Sequence, residues 1–271
     1  MALSNAEQQR RQSIRGRSSS RYGGLGLLSF KLQFRDRHMG HDVVMEHASK
    51  VLDLQLRVAD IARRIPMPPH SAPDRHHIGY QEFGLSFQHA LSVVSLTSTS
   101  DLNLVPSAFA LVRPMYETLQ RGWWFVLCAT DNHASQLLDE DKFHAGQLTK
   151  IAADIDAHPP FVGTDFFSRL SQDEWNLYHS FTHGGRAALA MYGHRPALGA
   201  EFDPAVVLTM LDNAGSMSAI AAFGMCHVCA AYSPDEVRPL CQELVAMGPE
   251  LGSPIPQGTE DAVTSPNQAA D

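Results

Sequence analysis

The stretch VPSAFALVRPMYETLQRGWWFV, residues 105–126, decides the fold of this chain. Apolar residues recur in it at alternating steps of four and three, which is the spacing of one face of an α-helix. Leu111, Met115 and Phe125 make most of the opposite side apolar as well. Because a helix that is apolar on nearly all sides lies in the middle of a bundle, we predict that this segment is the central helix.

The segments on both sides of this helix also have helical patterns. None alternates with the period of two that a half-buried strand requires, and no internal repeat occurs. Ser171 to Glu174 has the residue order of a capping box that opens a helix. We therefore predict an all-α fold, with a single helical bundle domain over residues 39–252 between a basic, disordered extension (1–38) and a disordered tail (253–271). The predicted helices cover residues 41–65, 78–98, 105–126, 131–155 as one or two helices, 171–192, 204–231 and a short stretch from Ser233.

Charge is distributed unevenly along the 271 residues. Residues 1–38 carry eight Lys or Arg against two acidic residues, whereas the rest carries 13 basic and 27 acidic residues. The acidic part of the chain after residue 38 repels a phosphate backbone at long range, which disfavours binding of extended duplexes. The basic segment fits a nucleic-acid-binding arm, an organelle transit peptide or upstream sequence from a misplaced start, and we interpret it as an extension without an assigned function.

Cysteine content and hydropathy indicate the cellular compartment of the protein. Four dispersed cysteines do not make a disulfide scaffold, so we predict a protein of the reducing cytoplasm. Residues 213–234 carry no formal charge, but they are rich in Gly, Ala and Ser, and Asp212 and Asp235 flank them in place of basic anchors. We predict a buried helix there and no membrane partner.

Polar residues interrupt the central helix in a regular way. Arg113, Glu117 and Arg121 follow one another at four-residue steps and form one strip. Pro114 lacks an N–H group and leaves the carbonyl of Ala110 without its helical partner. The strip is either a salt-bridge network that sets helix register or the wall of a ligand or catalytic pocket, because charge inside a bundle needs partners or solvent.

A second polar island, YHSFTHGGR, covers residues 178–186. His179 and His183 share one face of the predicted helix, and Thr182 and Arg186 share the neighbouring face. Gly184 and Gly185 are expected inside this helix, where each glycine lowers helix stability by about 1 kcal/mol relative to Ala. Two glycines there indicate a close neighbour, a kink, or close approach of the backbone to a ligand. His183 is either a general base or phosphate-binding imidazole beside Arg186, or a structural histidine.

These two islands carry a family resemblance. Arg-Pro-x-Tyr-Glu before a Trp-rich apolar run, and later Tyr-x-x-x-Thr-His-Gly-Gly, resemble motifs of an uncharacterised bacterial family of helical proteins over residues 104–192. That family is more distantly similar to HEPN-like and abortive-infection domains. The resemblance implies a helical bundle that can form a homodimer and acts in stress or phage defence, in some members as a metal-independent ribonuclease.

The chain departs from the ribonuclease pattern in one respect. Such enzymes resemble one another in an Arg followed four to six residues later by a His on a helix, whereas here the histidines precede Arg186. A metal hydrolase is an alternative, with His179 and His183 joined by Asp141 and His144. We predict no metal and no cofactor. The Cys226-His227-Val228-Cys229 segment lacks a second cysteine pair, so we interpret it as core packing.

The sequence thus predicts a general class of function and the residues that carry it. We expect a HEPN-like protein that binds RNA or a nucleotide, with a non-enzymatic interaction module built on a salt-bridge network as the main alternative. His183 is the expected proton-transfer residue, and Glu117 orients the anion-binding side chains. The candidate ligand-binding residues are Arg113, Arg121, Arg186, Tyr178, Thr182 and Trp124.

Overall fold

The computed structural model describes residues 37–99, 104–143, 147–173, 175–190 and 202–251. Within these ranges the regular structure is helical and no strand occurs, so the predicted all-α fold is confirmed. The described helices from His38 onward belong to one compact unit. The predicted terminal extensions fall almost entirely outside the described residues. The helices are α1 (Arg37–Ala62), α2 (Asp74–Thr97), α3 (Val105–Leu127), α4 (Asp131–Glu140), α5 (Leu148–Asp156), α6 (Phe166–Asp173), α7 (Trp175–Thr182), α8 (Arg186–Ala190), α9 (Pro204–Ala230) and α10 (Pro234–Leu251).

Helix α3 occupies the position that its sequence predicts. It packs against α2, α5, α7 and α9, and the side chains of Phe109, Leu119, Trp123 and Phe125 are fully buried. The edge of the Trp123 indole meets the Phe83 ring of α2 at a centroid distance of 5.1 Å. Aromatic side chains of this size dominate the apolar area of a core, and α3 therefore holds the bundle together.

The Phe83 ring of α2 lies against both α3 and α9. A Cβ atom added at Gly122 of α3 would lie 2.7 Å from the Phe83 ring, and one at Gly224 of α9 would lie 2.6 Å from it. Real Cβ atoms do not approach other atoms so closely, so both glycines are required for the ring to fit. The Phe83 ring is thus enclosed by glycines of two different helices.

Helix α9 is the one described helix long and apolar enough to cross a membrane by length and composition. Most of that apolar window is buried against other helices of the bundle, chiefly α2, α3 and α10. The core helix of a soluble bundle meets the same criterion, so this feature is weak evidence of a span. The buried helix expected over residues 213–234 is present, from Pro204 to Ala230.

The start of α6 differs from the sequence-based expectation. We expected a helix to open at Ser171, but Ser171 already belongs to α6, which begins at Phe166. The buried Asp156 carboxylate accepts hydrogen bonds from the backbone N–H groups of Phe167, at 3.0 Å, and Ser168, at 2.8 Å. Asp156, ten residues before the start of α6, therefore supplies the acceptor for N–H groups of the first turn, which have no partner within the helix. Glu174, the last residue of the expected capping box, lies outside the described residues.

Candidate functional site

The first half of the predicted strip on α3 forms a tight pair. Arg113 Nε donates to Glu117 Oε1 at 2.8 Å, one turn further along the helix. Both side chains are largely covered, with 18% and 21% of their surface exposed. Partial burial strengthens the attraction between the charges relative to a fully exposed pair, and Glu117 consequently sets the plane of the Arg113 guanidinium.

The same guanidinium reaches two imidazoles on α7. Arg113 Nη1 donates to His183 Nε2 at 3.0 Å and also to His179 Nδ1. The two rings lie one turn apart, with centroids separated by 4.5 Å. The α3 strip and the His183 helix therefore meet at Arg113. We call Arg113, Glu117, His179 and His183 the Arg113 cluster.

Hydrogen bonding defines the charge state of both imidazoles. Arginine can only donate, so each ring accepts at the nitrogen that faces Arg113 and is neutral in this arrangement. Burial, the Arg113 charge and His183 lower the pKa of His179, while Glu117 acts in the opposite direction. The bond from Arg113 to His179 is therefore complete above the ordinary histidine pKa of about 6.5 and is lost as the pH falls and the His179 ring takes up a proton.

Helix α7 ends directly beside these histidines. Gly184 has φ of 63°, in the left-handed region that favours glycine, and Gly185 N–H donates to Ser180 O at 2.6 Å while Gly184 N–H donates to Phe181 O at 3.4 Å. These bonds form a Schellman motif. The expectation that both glycines lie inside a helix is therefore wrong. They terminate α7 and leave His183 exposed at its last turn.

Thr182 links α7 to α3 through the carbonyl that Pro114 leaves open. Its hydroxyl lies 3.3 Å from Ala110 O on α3 and 3.0 Å from Tyr178 O on its own helix. The Ala110 carbonyl, which Pro114 was predicted to leave open, thus accepts a hydrogen bond from another helix. Thr182 positions α7 and is not itself aimed at the imidazoles.

We expect Thr182→Val to lower the free energy of unfolding by about 1 kcal/mol, because it leaves the Ala110 carbonyl without a donor while preserving side-chain shape. Chemical denaturation measures the change. Thr209→Val is the matched control, since the exposed Thr209 hydroxyl bonds Ala205 O within its own helix. Equal effects of the two substitutions would contradict the role of the contact between α3 and α7.

Arg121, the third member of the predicted strip, lies in different surroundings. The Arg121 guanidinium lies over the Phe143 ring, with Cζ 4.8 Å from the ring centroid. Burial raises the pKa of Glu82 on α2 to about 6, and the Arg121 charge opposes this rise. Arg121 is thus part of a second polar group with Glu82, a residue that the sequence analysis missed because an isolated Glu on α2 carries no recognisable spacing.

Trp124 does not join the Arg113 cluster through its ring contacts. Its indole packs at 5.1 Å from the His133 ring and 5.6 Å from the Phe143 ring. It shares a face of α3 with Arg113 but lies about three turns further along the helix. Helical spacing correctly gave the direction of Trp124 and could not give what covers it.

Tyr178 and Arg186 flank the cluster on α7 and α8. Tyr178 is buried, with its ring centroid 5.8 Å from that of Tyr116, and its hydroxyl accepts from Asn213 Nδ2 of α9 at 3.3 Å. Arg186 is exposed at the first position of α8. Tyr178 therefore joins α7 to α3 and α9, and Arg186 is the cation next to the histidines along the chain.

Metal coordination has little support in the part of the chain that the structure describes. No group of three or more His, Cys, Asp or Glu side chains with suitable placement occurs there. One ring nitrogen of His179 and one of His183 accept hydrogen bonds from Arg113. Asp141 is described, whereas His144 lies outside the described residues. Cys226 and Cys229 are fully or almost fully buried, in line with core packing.

A cleft between α1, α9 and α10 was not predicted from the sequence. It has a volume of about 670 Å³, and across it His47 contacts Asp212 and Arg57 pairs with Glu250, each at 2.7 Å. Because the lining holds both cations, Lys50 and Arg57, and carboxylates, Asp212 and Glu250, the cleft offers no strong field of one sign. The Arg113 cluster is therefore the site with the more specific arrangement.

Comparison with known proteins places the chain in a family. Residues 83–244 match the family of unknown function DUF6988, and the chain belongs to that family. The matched segment contains the whole Arg113 cluster and begins at Phe83, so α1 and one wall of the cleft lie outside it. No curated protein and no solved structure matches the chain.

Proposed function

We propose that this DUF6988 protein binds RNA or a nucleotide through a phosphate group at the Arg113 cluster and acts there without a metal. The observation that carries the proposal is that one guanidinium, oriented by Glu117, bonds two imidazoles of a second helix at the protein surface. Arginine and histidine are the side chains that bind phosphate and transfer protons near neutral pH. Such a set is typical of phosphoryl chemistry.

The resemblance to HEPN-like domains supports the same proposal. The Arg-Pro-x-Tyr-Glu motif contributes Arg113 and Glu117, and the Thr-His-Gly-Gly motif contributes His183. Arg113 lies 66 positions from His179 and 70 positions from His183 in the sequence, and the three side chains meet in one hydrogen-bonded cluster. A defence- or stress-associated role in a reducing cytoplasm, which four unpaired cysteines favour, completes the proposal.

Each residue has a distinct role in this proposal. Arg113 binds the phosphate, Arg186 adds a second positive charge, and Glu117 holds the guanidinium in place. When phosphate oxygens take over the Arg113 donors, the Nε2 lone pair of His183 becomes available to accept a proton from an attacking hydroxyl. His183 is then the general base of a phosphodiester cleavage that requires no metal.

The acidic charge of the domain restricts the ligand. Outside residues 1–38 the chain has 27 acidic and 13 basic residues, so a long duplex is repelled. A local cationic site can still bind a small anionic ligand. A single nucleotide or a short single strand fits this balance best.

The test uses the full chain with a labelled single-stranded RNA and with mononucleotides, in EDTA. We expect saturable binding, and His183→Ala is expected to lower any cleavage rate by about 100-fold or more, the usual contribution of a general base. His70→Ala is the matched control because His70 is an exposed histidine on the linker between α1 and α2. Absence of binding, or cleavage unchanged in His183→Ala, would exclude this function.

A second candidate is supported by the contacts that Arg113 makes within the protein. Its guanidinium bonds Glu117, His179 and His183, as expected of a structural link between α3 and α7. A non-enzymatic interaction module of this kind predicts that Glu117→Gln changes stability or oligomeric state, while no nucleotide raises the melting temperature.

A further inference from the structure

The cleft between α1, α9 and α10 is bounded along α1 by two contacts that join helices. His47 Nε2 lies 2.7 Å from Asp212 Oδ1 of α9, and Arg57 Nη1 donates to Glu250 Oε2 of α10 at 2.7 Å. His47 and Arg57 are separated by about three helical turns, or about 15 Å along the axis of α1. The space between these contacts therefore has the length of a small molecule, and none of the residues that line it belongs to the Arg113 cluster.

The lining between the two contacts has an apolar floor. Val51 and Leu54 of α1 are buried, with 7% and 8% of their surface exposed. On α9 the lining includes the buried Gly215, which has no side chain to fill the space. A ligand that reaches this floor removes apolar surface from water, which favours binding.

Two charges of opposite sign lie on α1 between the end contacts. Lys50 and Asp53 both line the cleft, and residues three apart on a helix are neighbours, with Cβ atoms about 5–6 Å apart. Lys50 Nζ donates to Glu46 Oε1 at 2.6 Å, but both side chains are 69% exposed, and such a surface pair contributes little to stability. Arg57 directs its hydrogen bonds to Glu250, which leaves the exposed Asp53 carboxylate able to accept from a ligand.

We propose that this cleft binds a small zwitterion of the α-amino acid type with an apolar side chain. Lys50 binds the carboxylate of the ligand, Asp53 binds its ammonium group, and Val51 and Leu54 contact its side chain. An α-amino acid carries both charges on one carbon atom, so it pairs with two opposite charges that are neighbours on a helix. The cleft volume of about 670 Å³ lies within the range of roughly 300–1,000 Å³ that small-molecule sites have.

The mixed charge of the lining disfavours other classes of ligand. A phosphate group meets the carboxylates of Asp53, Asp212 and Glu250 together with the cations, so its attraction is largely cancelled. A neutral apolar molecule covers charged side chains without pairing them, which costs free energy. A molecule with one charge of each sign and an apolar part meets both requirements.

Titration calorimetry on the full chain tests the proposal with leucine, phenylalanine, isocaproate and isoamylamine. Isocaproate has the branched side chain of leucine without the ammonium group, and isoamylamine has it without the carboxylate. The variants are Lys50→Met and Asp53→Asn, which each remove one charge and preserve side-chain size. Lys142→Met is the matched control for Lys50, because Lys142 also forms an exposed pair with a nearby glutamate and does not line the cleft. Asp139→Asn, at an exposed position of α4, is the control for Asp53.

We expect leucine or phenylalanine to bind with a Kd below about 10 mM, the weak end for a ligand of this size. We expect isocaproate and isoamylamine to bind at least about 10-fold more weakly than leucine, because each leaves one charge of the cleft unpaired. Lys50→Met and Asp53→Asn are each expected to weaken amino acid binding by about 10-fold or more, and the two controls to leave it unchanged.

Three results would overturn the inference. They are absence of binding by both amino acids, binding of isocaproate or isoamylamine as tight as that of leucine, and amino acid binding that is unchanged in Lys50→Met or Asp53→Asn. All three are independent of RNA or nucleotide binding at the Arg113 cluster, because the cleft and the cluster share no residue.

Discussion

Gly224→Ala is expected to destabilise the fold although alanine is the better helix former. The new methyl group would lie 2.6 Å from the ring of Phe83, which is also held by the surface of Gly122 and by Trp123. Because Gly122 and Gly224 enclose the Phe83 ring from two helices, the clash with the new methyl group is removed only if α2 and α9 move apart. We expect a loss of about 2 kcal/mol in the free energy of unfolding, and about 3 kcal/mol or more for Gly224→Val. Chemical denaturation measures both.

Two matched controls separate packing from helix propensity. A Cβ added at Gly84, next to Phe83 on α2, meets nothing within 4 Å, so Gly84→Ala is expected to stabilise by about 0.5–1 kcal/mol. In a Phe83→Leu background, which removes the ring, Gly224→Ala is expected to cost much less than it does in the native chain. Additive effects of Phe83→Leu and Gly224→Ala would contradict the enclosure of the ring.

Arg113→Met is expected to weaken phosphate binding strongly and to weaken the contact between α3 and α7. Methionine has similar length but donates no hydrogen bonds, so Glu117 keeps a largely covered charge without its partner, and both imidazoles lose their donor. We expect a drop in nucleotide or RNA affinity of about 100-fold. We also expect a loss of about 1–3 kcal/mol in stability, measured by denaturation alongside the binding.

The double variant Arg113→Met/Glu117→Gln distinguishes the two effects. Removing the unpaired carboxylate is expected to restore part of the stability, while binding stays lost because the anion-binding guanidinium is still absent. Arg238→Met is the matched control, since Arg238 forms an exposed ion pair with Asp235 on α10. If Arg113→Met changed stability alone and phosphate still bound, the cluster would be a structural link between helices.

Local spacing was sufficient to predict the central helix and part of the cluster. The alternation of steps over residues 105–126 placed α3 in the core, and the four-residue step placed Arg113 beside Glu117, because both relations depend only on the geometry of one helix. The open carbonyl at Ala110 followed from the chemistry of Pro114 in the same way. Its partner, Thr182, was not predictable from spacing.

Relations between helices are where local spacing failed. Arg121 was placed on one strip with Arg113 and Glu117, but Phe143 and Glu82 surround it, and these come from other parts of the chain. The sequence also suggested that α7 continues through Gly184, since nothing local distinguishes a tolerated glycine from a terminating one. The left-handed conformation at Gly184 depends on how the chain must turn to reach α8.

By itself, the sequence determined an all-helical bundle with α3 at its centre and polar residues on α3 and α7 as the place to look for function. The tertiary structure alone decided that one guanidinium joins Glu117 to two neutral imidazoles, and that Arg121 and Trp124 belong to different surroundings. The reason is physical. Helical periodicity fixes the direction of each side chain around its own axis, whereas contacts between helices depend on how large side chains such as Phe83 and Trp123 pack against small ones.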